Sequence, residues 1–222
     1  MAKPIKLDFS EKYDEQHAHQ YLHKHRDGLS RRLSHRRDEQ LARHALALVG
    51  DPGLVLDLPC GAGRFWPLLA QKSNRVIIGA DNSQAMLGTA LSAQPVEVVK
   101  RVRPLHTSAF DIALPDNAVD SIFCMRLLHH IGEPAHRLAI LREFERVSRD
   151  SVIVSLWVEG NFKAWKRKRL ERTRGRKEYQ NRFVLPVATV EDEFRQAGFH
   201  IQEQLDFLPL YAMWRVYVLR KR

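Results

Sequence analysis

The sequence predicts a doubly wound α/β fold, and three observations predict it. A short apolar run, Val55 to Leu58, carries Asp57 near its end and turns through Pro59-Cys60-Gly61-Ala62-Gly63 into an amphipathic segment, Phe65 to Gln71. A second apolar run, Arg75 to Ala80, ends in Asp81, 20 residues beyond Gly61 (81 − 61). Further on, apolar strand-like runs keep alternating with helical stretches, which implies a parallel sheet with right-handed crossovers and helices on both faces.

The elements follow in order. Residues 1–50 are polar, rich in His and Arg, and form a helical cap whose pattern Leu41, Leu46, Leu48, Val49 is stopped by Gly50-Asp51-Pro52-Gly53. Residues 54–158 form the ligand-binding core, with strands ending at Asp57 and Asp81 and further strands near 102–106, 120–125 and 151–158. Helices are expected at about 83–91 and 135–149. Pro104 lacks a donor, so the strand that holds it belongs at a sheet edge. Residues 159–186 form a basic insertion. Residues 187–222 supply a helix near 189–196, closed by Ala197-Gly198, and an antiparallel hairpin from strands near 199–207 and 212–219. All four parts are expected to make one domain.

Composition bounds the rest. A chain of 222 residues with 44% hydrophobic content can bury one substantial core. Two cysteines, Cys60 and Cys124, cannot form a disulfide framework and are expected to be reduced. Met1 to Ser10 contain no apolar signal core, and no run of 18 apolar residues exists, so a soluble, cytoplasmic protein without a transmembrane segment is expected. The net charge of +10 permits an acidic partner without naming one.

Charge decides which nucleotide the glycine turn favours. A dinucleotide site wants a third glycine where Trp66 stands and no anion beside the pyrophosphate, yet Asp57 sits at the mouth. A carboxylate there repels phosphate and attracts an ammonium or sulfonium group. S-adenosylmethionine carries both cations, and its ribose hydroxyls suit a carboxylate at Asp81.

At these residues the chain resembles the class I S-adenosylmethionine-dependent methyltransferases of the small-molecule type. The family reads roughly acid-x-Gly-x-Gly-x-Gly here, and this chain has Pro59 in place of the first glycine. The resemblance implies a Rossmann-like, seven-stranded sheet, mostly parallel, with an antiparallel C-terminal hairpin. It implies cofactor contacts from Asp57, Pro59, Cys60, Gly61 and Gly63, and from Asp81 and Asn82 in Asp81-Asn82-Ser83-Gln84-Ala85-Met86-Leu87. It also implies contacts from Ser108, Ala109 and Phe110, and from Met125. Ser108 stands where most members carry an acid for the adenine amino group, and Asp111 is three positions away.

Methyl transfer asks mainly for alignment and exclusion of water. A hydroxyl acceptor gains from a base, and His129 and His130, expected at the carboxyl end of the fourth strand, are the candidate catalytic residues. No Asp-Pro-Pro-Tyr or Asn-Pro-Pro-Phe segment marks amine methylation of bases. His17, His19, His23 and His25 read as a solvated polar helix, and no metal is expected. The run from Lys163 to Lys177 reads as a lid whose apolar side, Trp165 and Leu170, closes on the substrate; phosphate or anionic-lipid recognition is the other reading. The expected activity is methyl transfer at oxygen to a small-molecule or lipid-linked, anionic acceptor. An RNA or ribosome methyltransferase and a non-catalytic cofactor-binding protein are the alternatives. Acceptor identity and oligomeric state are not written in the residues.

Overall fold

The computed structural model describes residues 28–173 and 181–222. The histidines at 17, 19, 23 and 25 and the basic residues Arg174, Arg176 and Lys177 lie outside the described residues. In chain order the elements are α1 (Leu29–Leu48), β1 (Leu54–Asp57), α2 (Trp66–Leu69), β2 (Val76–Asp81), α3 (Gln84–Ala93), α4 (Val96–Val99), β3 (Val102–His106) and β4 (Val119–Cys124). A 3₁₀ turn (Leu128–His130) follows, then α5 (Pro134–Val147), β5 (Ser148–Trp157), α6 (Phe162–Thr173), α7 (Val187–Gln196), β6 (Phe199–Asp206) and β7 (Trp214–Lys221).

The seven strands make one sheet in the order β3-β2-β1-β4-β5-β7-β6. The first five are parallel, and β7 inserts antiparallel between β5 and β6. Strand order reverses between β1 and β4, the switch point where a crevice opens at the carboxyl ends of the strands. β3 is the edge that Pro104 requires. Two elements escape the sequence pattern. The four-residue α4 is short, and β5 begins at Ser148 because α5 ends at Val147, two residues before the expected end, with no loop between them.

Side-chain alternation in the strands builds two apolar layers. Val55, Ile77, Phe123 and Ile153 face α1, α2 and α3, packing on Leu41, Ala45, Leu46, Trp66 and Leu87. Their neighbours Leu56, Ile122 and Val152 face α5 and α7, packing on Ile140, Phe144 and Phe194. Every long central strand is thus buried on both sides, as a parallel sheet demands. A buried ion pair ties α7 to α5: Arg137 donates to Glu193 at 2.8 and 2.5 Å. The same guanidinium donates to the carbonyls of Ile131 and Gly132, which fixes the loop after the two histidines.

Candidate cofactor and acceptor site

The glycine turn is built for close approach. Gly61 and Gly63 have φ of 54° and 69°, left-handed values that cost a glycine little. Cys60 N–H donates to the Ala80 carbonyl at 2.8 Å, and Gln94 holds the turn from below by donating to the Ala62 carbonyl at 3.0 Å. Pro59 is half-exposed beside it. Trp66, where a third glycine was considered, is fully buried, and its ring lies against β2 at Gly79, where an added Cβ would meet the indole at 2.4 Å. A large ring replaces the small residue because the facing strand gives up its own side chain.

Asp81 closes the turn on the other side. Its carboxylate accepts from Gly61 N–H and from Ser83 N–H, both at 2.9 Å. Ser83 in turn caps α3, its hydroxyl accepting from Met86 N–H. Each carboxylate oxygen can accept twice, so Asp81 keeps acceptor capacity for a ligand hydroxyl. Burial raises its pKa, and the backbone N–H groups oppose that. Asn82 is exposed, and its carbonyl accepts from His106 Nε2 at 3.1 Å.

Asp57 at the end of β1 is fully buried, and its Oδ2 has no hydrogen-bond partner. Burial, with the nearby Asp81 second, pushes its carboxyl well above the usual range. The Trp66 indole N–H pulls the other way, but it makes no well-formed hydrogen bond of its own. A buried carboxylate in this state favours a cation placed beside it. An ammonium or sulfonium group fits that requirement, and a pyrophosphate does not.

At the third strand end, Ser108 Oγ accepts from Phe110 N–H at 3.1 Å, and Asp111 is exposed. Thr107 organises the same turn, donating to the Asp111 carbonyl and accepting from Ala113 N–H. Ala109 and Phe110 are half-buried. The turn carries the Asp111 side chain to solvent, away from the half-buried Ser108.

Beyond β4 the chain makes an aromatic wall. Met125 and His129 are buried, and the His129 ring lies 4.0 Å from His130, 5.0 Å from Trp157 and 4.7 Å from Trp214. Burial, then the positive neighbours His130, Arg126, Arg182 and Arg167, pushes His129 down to about 2, so it is neutral throughout the physiological range. His130 is also lowered, chiefly by burial. His130 Nδ1 donates to the Asn181 carbonyl at 2.5 Å, which makes Nε2 the basic ring atom. Buried polar atoms lacking a protein hydrogen-bond partner include Asp57 Oδ2, Trp66 Nε1, Arg126 Nε, His129 Nδ1 and Trp157 Nε1, and these gather at the carboxyl ends of β1, β4 and β5. Such atoms are costly unless a ligand satisfies them.

Sequence reasoning missed a charged cluster on the same rim. Arg64 and Arg126 both donate to Asp38 Oδ2, at 2.6 and 2.5 Å, and Arg64 also donates to His35 Nδ1 at 3.2 Å. The Arg126 guanidinium lies over the Trp214 ring at 4.7 Å, and its backbone N–H donates to Ser155 Oγ at 2.9 Å. Arg64 abuts Gly63 in sequence and was open to notice. Asp38, on α1, had no such marker.

The described part of the basic insertion includes α6. Helix α6 turns Ala164 and Arg167 inward, whereas Trp165 and Leu170 are exposed at 56% and 41%. Of the expected apolar side, Trp165 lines the cavity beneath the helix and Leu170 does not. Beneath the helix lies a cavity of about 520 Å³, lined by Arg167, Lys168, Phe183 and Leu210 among others. Two of its lining residues touch the aromatic wall: Arg167 lies 5.2 Å over Trp157, and Phe183 N–H donates to the His129 carbonyl. Among the described residues no cluster of three or more potential metal ligands occurs, and no helix is long and apolar enough to cross a membrane.

Comparison with known proteins agrees with this geometry. Residues 55–151 match the model of a methyltransferase domain family. Over 114 residues the chain is 31% identical to the tRNA U34 carboxymethyltransferase of Shewanella woodyi, covering 48% of this chain and 32% of that one. It is 35% identical over 116 residues to the trans-aconitate 2-methyltransferase of Delftia acidovorans, covering 52% and 40%. The chain thus spans about a third to two fifths of these relatives' length. In structure it is similar to the magnesium protoporphyrin IX methyltransferase of Synechocystis PCC 6803 with bound S-adenosylhomocysteine, at a TM-score of 0.78 and 17% identity over 96% and 98% of the chains. A methyltransferase from Aquifex aeolicus matches at a TM-score of 0.65 and 20% identity, over 95% and 100%. Residues 55–151 thus carry the methyltransferase domain whose family model they match, and the chain shares its fold with these two structures.

Proposed function

We propose that the protein transfers a methyl group from S-adenosylmethionine to a carboxylate oxygen of a small or lipid-linked acceptor with an apolar body. The observation that carries this is one rim joining two guanidiniums, Arg64 and Arg126, to the aromatic wall of His129, Trp157 and Trp214. Both cations meet at Asp38, and a carboxylate acceptor would take charge-assisted hydrogen bonds from them. The cavity beneath α6 supplies apolar walls, and its volume is that of a small-ligand pocket.

S-adenosylmethionine supplies the activated methyl group on a cationic sulfur. Asp57 holds its cationic end and Asp81 its ribose; Gly61 and Gly63 let the backbone lie against it. Ser108, Ala109, Phe110 and Met125 border the remainder. A carboxylate acceptor is already ionised at neutral pH, so no strong base is required. That agrees with the lowered pKa values of His129 and His130. We assign His129 to the acceptor wall. His130 Nε2 takes a proton only where the acceptor is a hydroxyl.

The test is a turnover assay on matched acceptors, each offered as free carboxylate and as its amide. Demethylated cofactor should accumulate only with the carboxylate, and Arg126→Gln should raise KM for it at least tenfold. Equal turnover of both forms would refute the acceptor assignment. A second reading, methylation of tRNA, is favoured by the net charge of +10 and by similarity to tRNA U34 carboxymethyltransferase. Methyl incorporation into tRNA, with none into carboxylates, would establish it instead.

A further inference from the structure

Eight large hydrophobic side chains are exposed among the described residues, and six of them form one patch. Leu33 and Val96 lie elsewhere; Phe162, Trp165, Leu170, Leu208, Leu210 and Tyr211 share the surface made by α6 and the turn between β6 and β7. The two segments are joined. Phe162 and Lys163 N–H groups donate to the carbonyls of Leu210 and Tyr211, and the Phe162 ring stacks on Tyr211 at 5.8 Å and 11°. Single exposed hydrophobics are ordinary, but a contiguous cluster marks a binding surface.

Charge is sorted around the same helix. At 100° per residue, Phe162, Trp165 and Leu170 share the outward face of α6 with Lys163, Lys166, Arg169 and Arg172, all exposed. No acid lies on that face. Glu171 is turned toward the inner side, where it pairs with Arg167 at 2.8 Å, while Lys168 pairs with Glu159 across the cavity. The outward face is thus apolar and cationic, with aromatic rings between.

We propose that this face docks the protein on an anionic lipid bilayer. Aromatic and aliphatic side chains enter the headgroup region while the four basic residues meet lipid phosphates and carboxylates. The choice of a bilayer over nucleic acid rests on the rings and the leucines. Single-stranded nucleic acid binds by stacking bases on open aromatic faces, yet Phe162 and Tyr211 stack on each other, and Lys163 and Arg169 cover Tyr211 and Trp165. Leu208 and Leu210, the latter 82% exposed, offer no π-face to a base but insert readily into acyl chains. The patch borders the cavity through Phe162, Trp165 and Leu210, so a docked molecule would open its acceptor pocket toward the lipid. Docking itself needs no methyl transfer, so its test is separate from that of the reaction.

The experiment is co-sedimentation of the full chain with vesicles of phosphatidylcholine alone or mixed equally with phosphatidylserine. Binding should require the anionic lipid and weaken as salt rises. Removing Lys166 and Arg169 together, as Lys166→Gln/Arg169→Gln, should weaken partitioning roughly fivefold per charge. Leu170→Asp/Leu208→Asp should also abolish it, since apolar insertion is part of the contact. None of these four side chains lines the cavity, so demethylated-cofactor production from a soluble acceptor should be unchanged. Brominated lipid should quench the emission of Trp165. Absence of vesicle binding by the wild-type protein would overturn the proposal. So would binding that Leu170→Asp/Leu208→Asp leaves intact and RNA strips away, which would make the face a nucleic-acid surface.

Discussion

Arg126 Nη2 reaches Asp38 Oδ2 at 2.5 Å, joining the end of β4 to α1 across 88 residues of sequence. The contact locks the N-terminal helix over the switch point, and Arg64 completes it from the glycine turn. Asp38 is nearly buried, whereas Arg126 keeps about a quarter of its side chain in solvent.

Removing the shared carboxylate leaves two guanidiniums facing each other. Asp38→Ala should therefore cost about 3 kcal/mol, the low end for breaking a buried pair because Arg126 is partly solvated. Urea unfolding would show the loss. Adding Arg126→Met should restore part of it, since the repulsion disappears, while acceptor affinity should fall further. A double variant no more stable than Asp38→Ala would mean that the carboxylate acts as a packing group only.

Asp57 sets stability against binding. Its folded pKa is raised, so its stabilising contribution is complete below the unfolded carboxylate pKa and is lost as pH rises through the folded value. At neutral pH, Asp57→Asn should then raise the melting temperature of the ligand-free protein, by at least about 2 °C if 1 kcal/mol of strain is relieved. The same change should weaken binding of S-adenosylmethionine at least tenfold, because the cation loses its counter-charge. Binding of the cofactor by the wild type should tighten as pH rises, because the ionised carboxylate is the form that meets the cation, and the variant should lose this contribution.

Much of this was legible because it is local. Val55 to Gly63, Asp81 and the Asp81-x-Ser83 cap are set by neighbours in sequence, and Pro104 announces its edge strand by a missing donor. What stayed hidden depends on long-range approach. Asp38 meets Arg64 and Arg126 only after α1 crosses the sheet, and nothing in the local pattern around it marks a ligand. Likewise the outward turn of Trp165 and Leu170 follows from which side of α6 seats Ala164, which periodicity alone does not reveal. His129 was legible as a site residue but not as a neutral one, because its pKa is set by burial against Trp157 and Trp214.

That burial has a pH signature. His129 titrates near 6.5 when unfolded and at about 2 when folded, so the unfolded chain takes up the proton first. Stability should fall as pH drops below about 6.5, by up to about 1.4 kcal/mol per pH unit for this one group. Its facing charges are Arg126, Arg167, Arg182 and His130, all of which oppose protonation. The raised pKa values of Asp57 and Asp81 tilt the profile the opposite way, but they are common to wild type and variant. Comparing urea unfolding of wild type and His129→Gln at pH 6.5 and 5.5 isolates the term. The wild type should lose about 1 kcal/mol more than the variant over that interval; parallel losses would show that His129 is accessible to protons.

The last prediction concerns Gly79 and Trp66, whose fit replaces a third glycine in the turn. A Cβ on Gly79 would come within 2.4 Å of Trp66 Cζ2, and also within 3.0 Å of Val102 on the neighbouring strand. Trp66 is fully buried between the glycine turn and β2, so the ring has no open side to move toward. Gly79→Ala should destabilise by about 2–3 kcal/mol through overpacking. Because the ring also touches the position of Gly63, its displacement should loosen the turn and weaken cofactor binding severalfold. Trp66→Leu alone should destabilise by leaving a cavity. Combined with Gly79→Ala it should cost less than the two single losses summed, by at least about 1 kcal/mol, as expected for residues in direct contact. Strict additivity in that double-mutant cycle would show that Gly79 is small for some reason other than the indole.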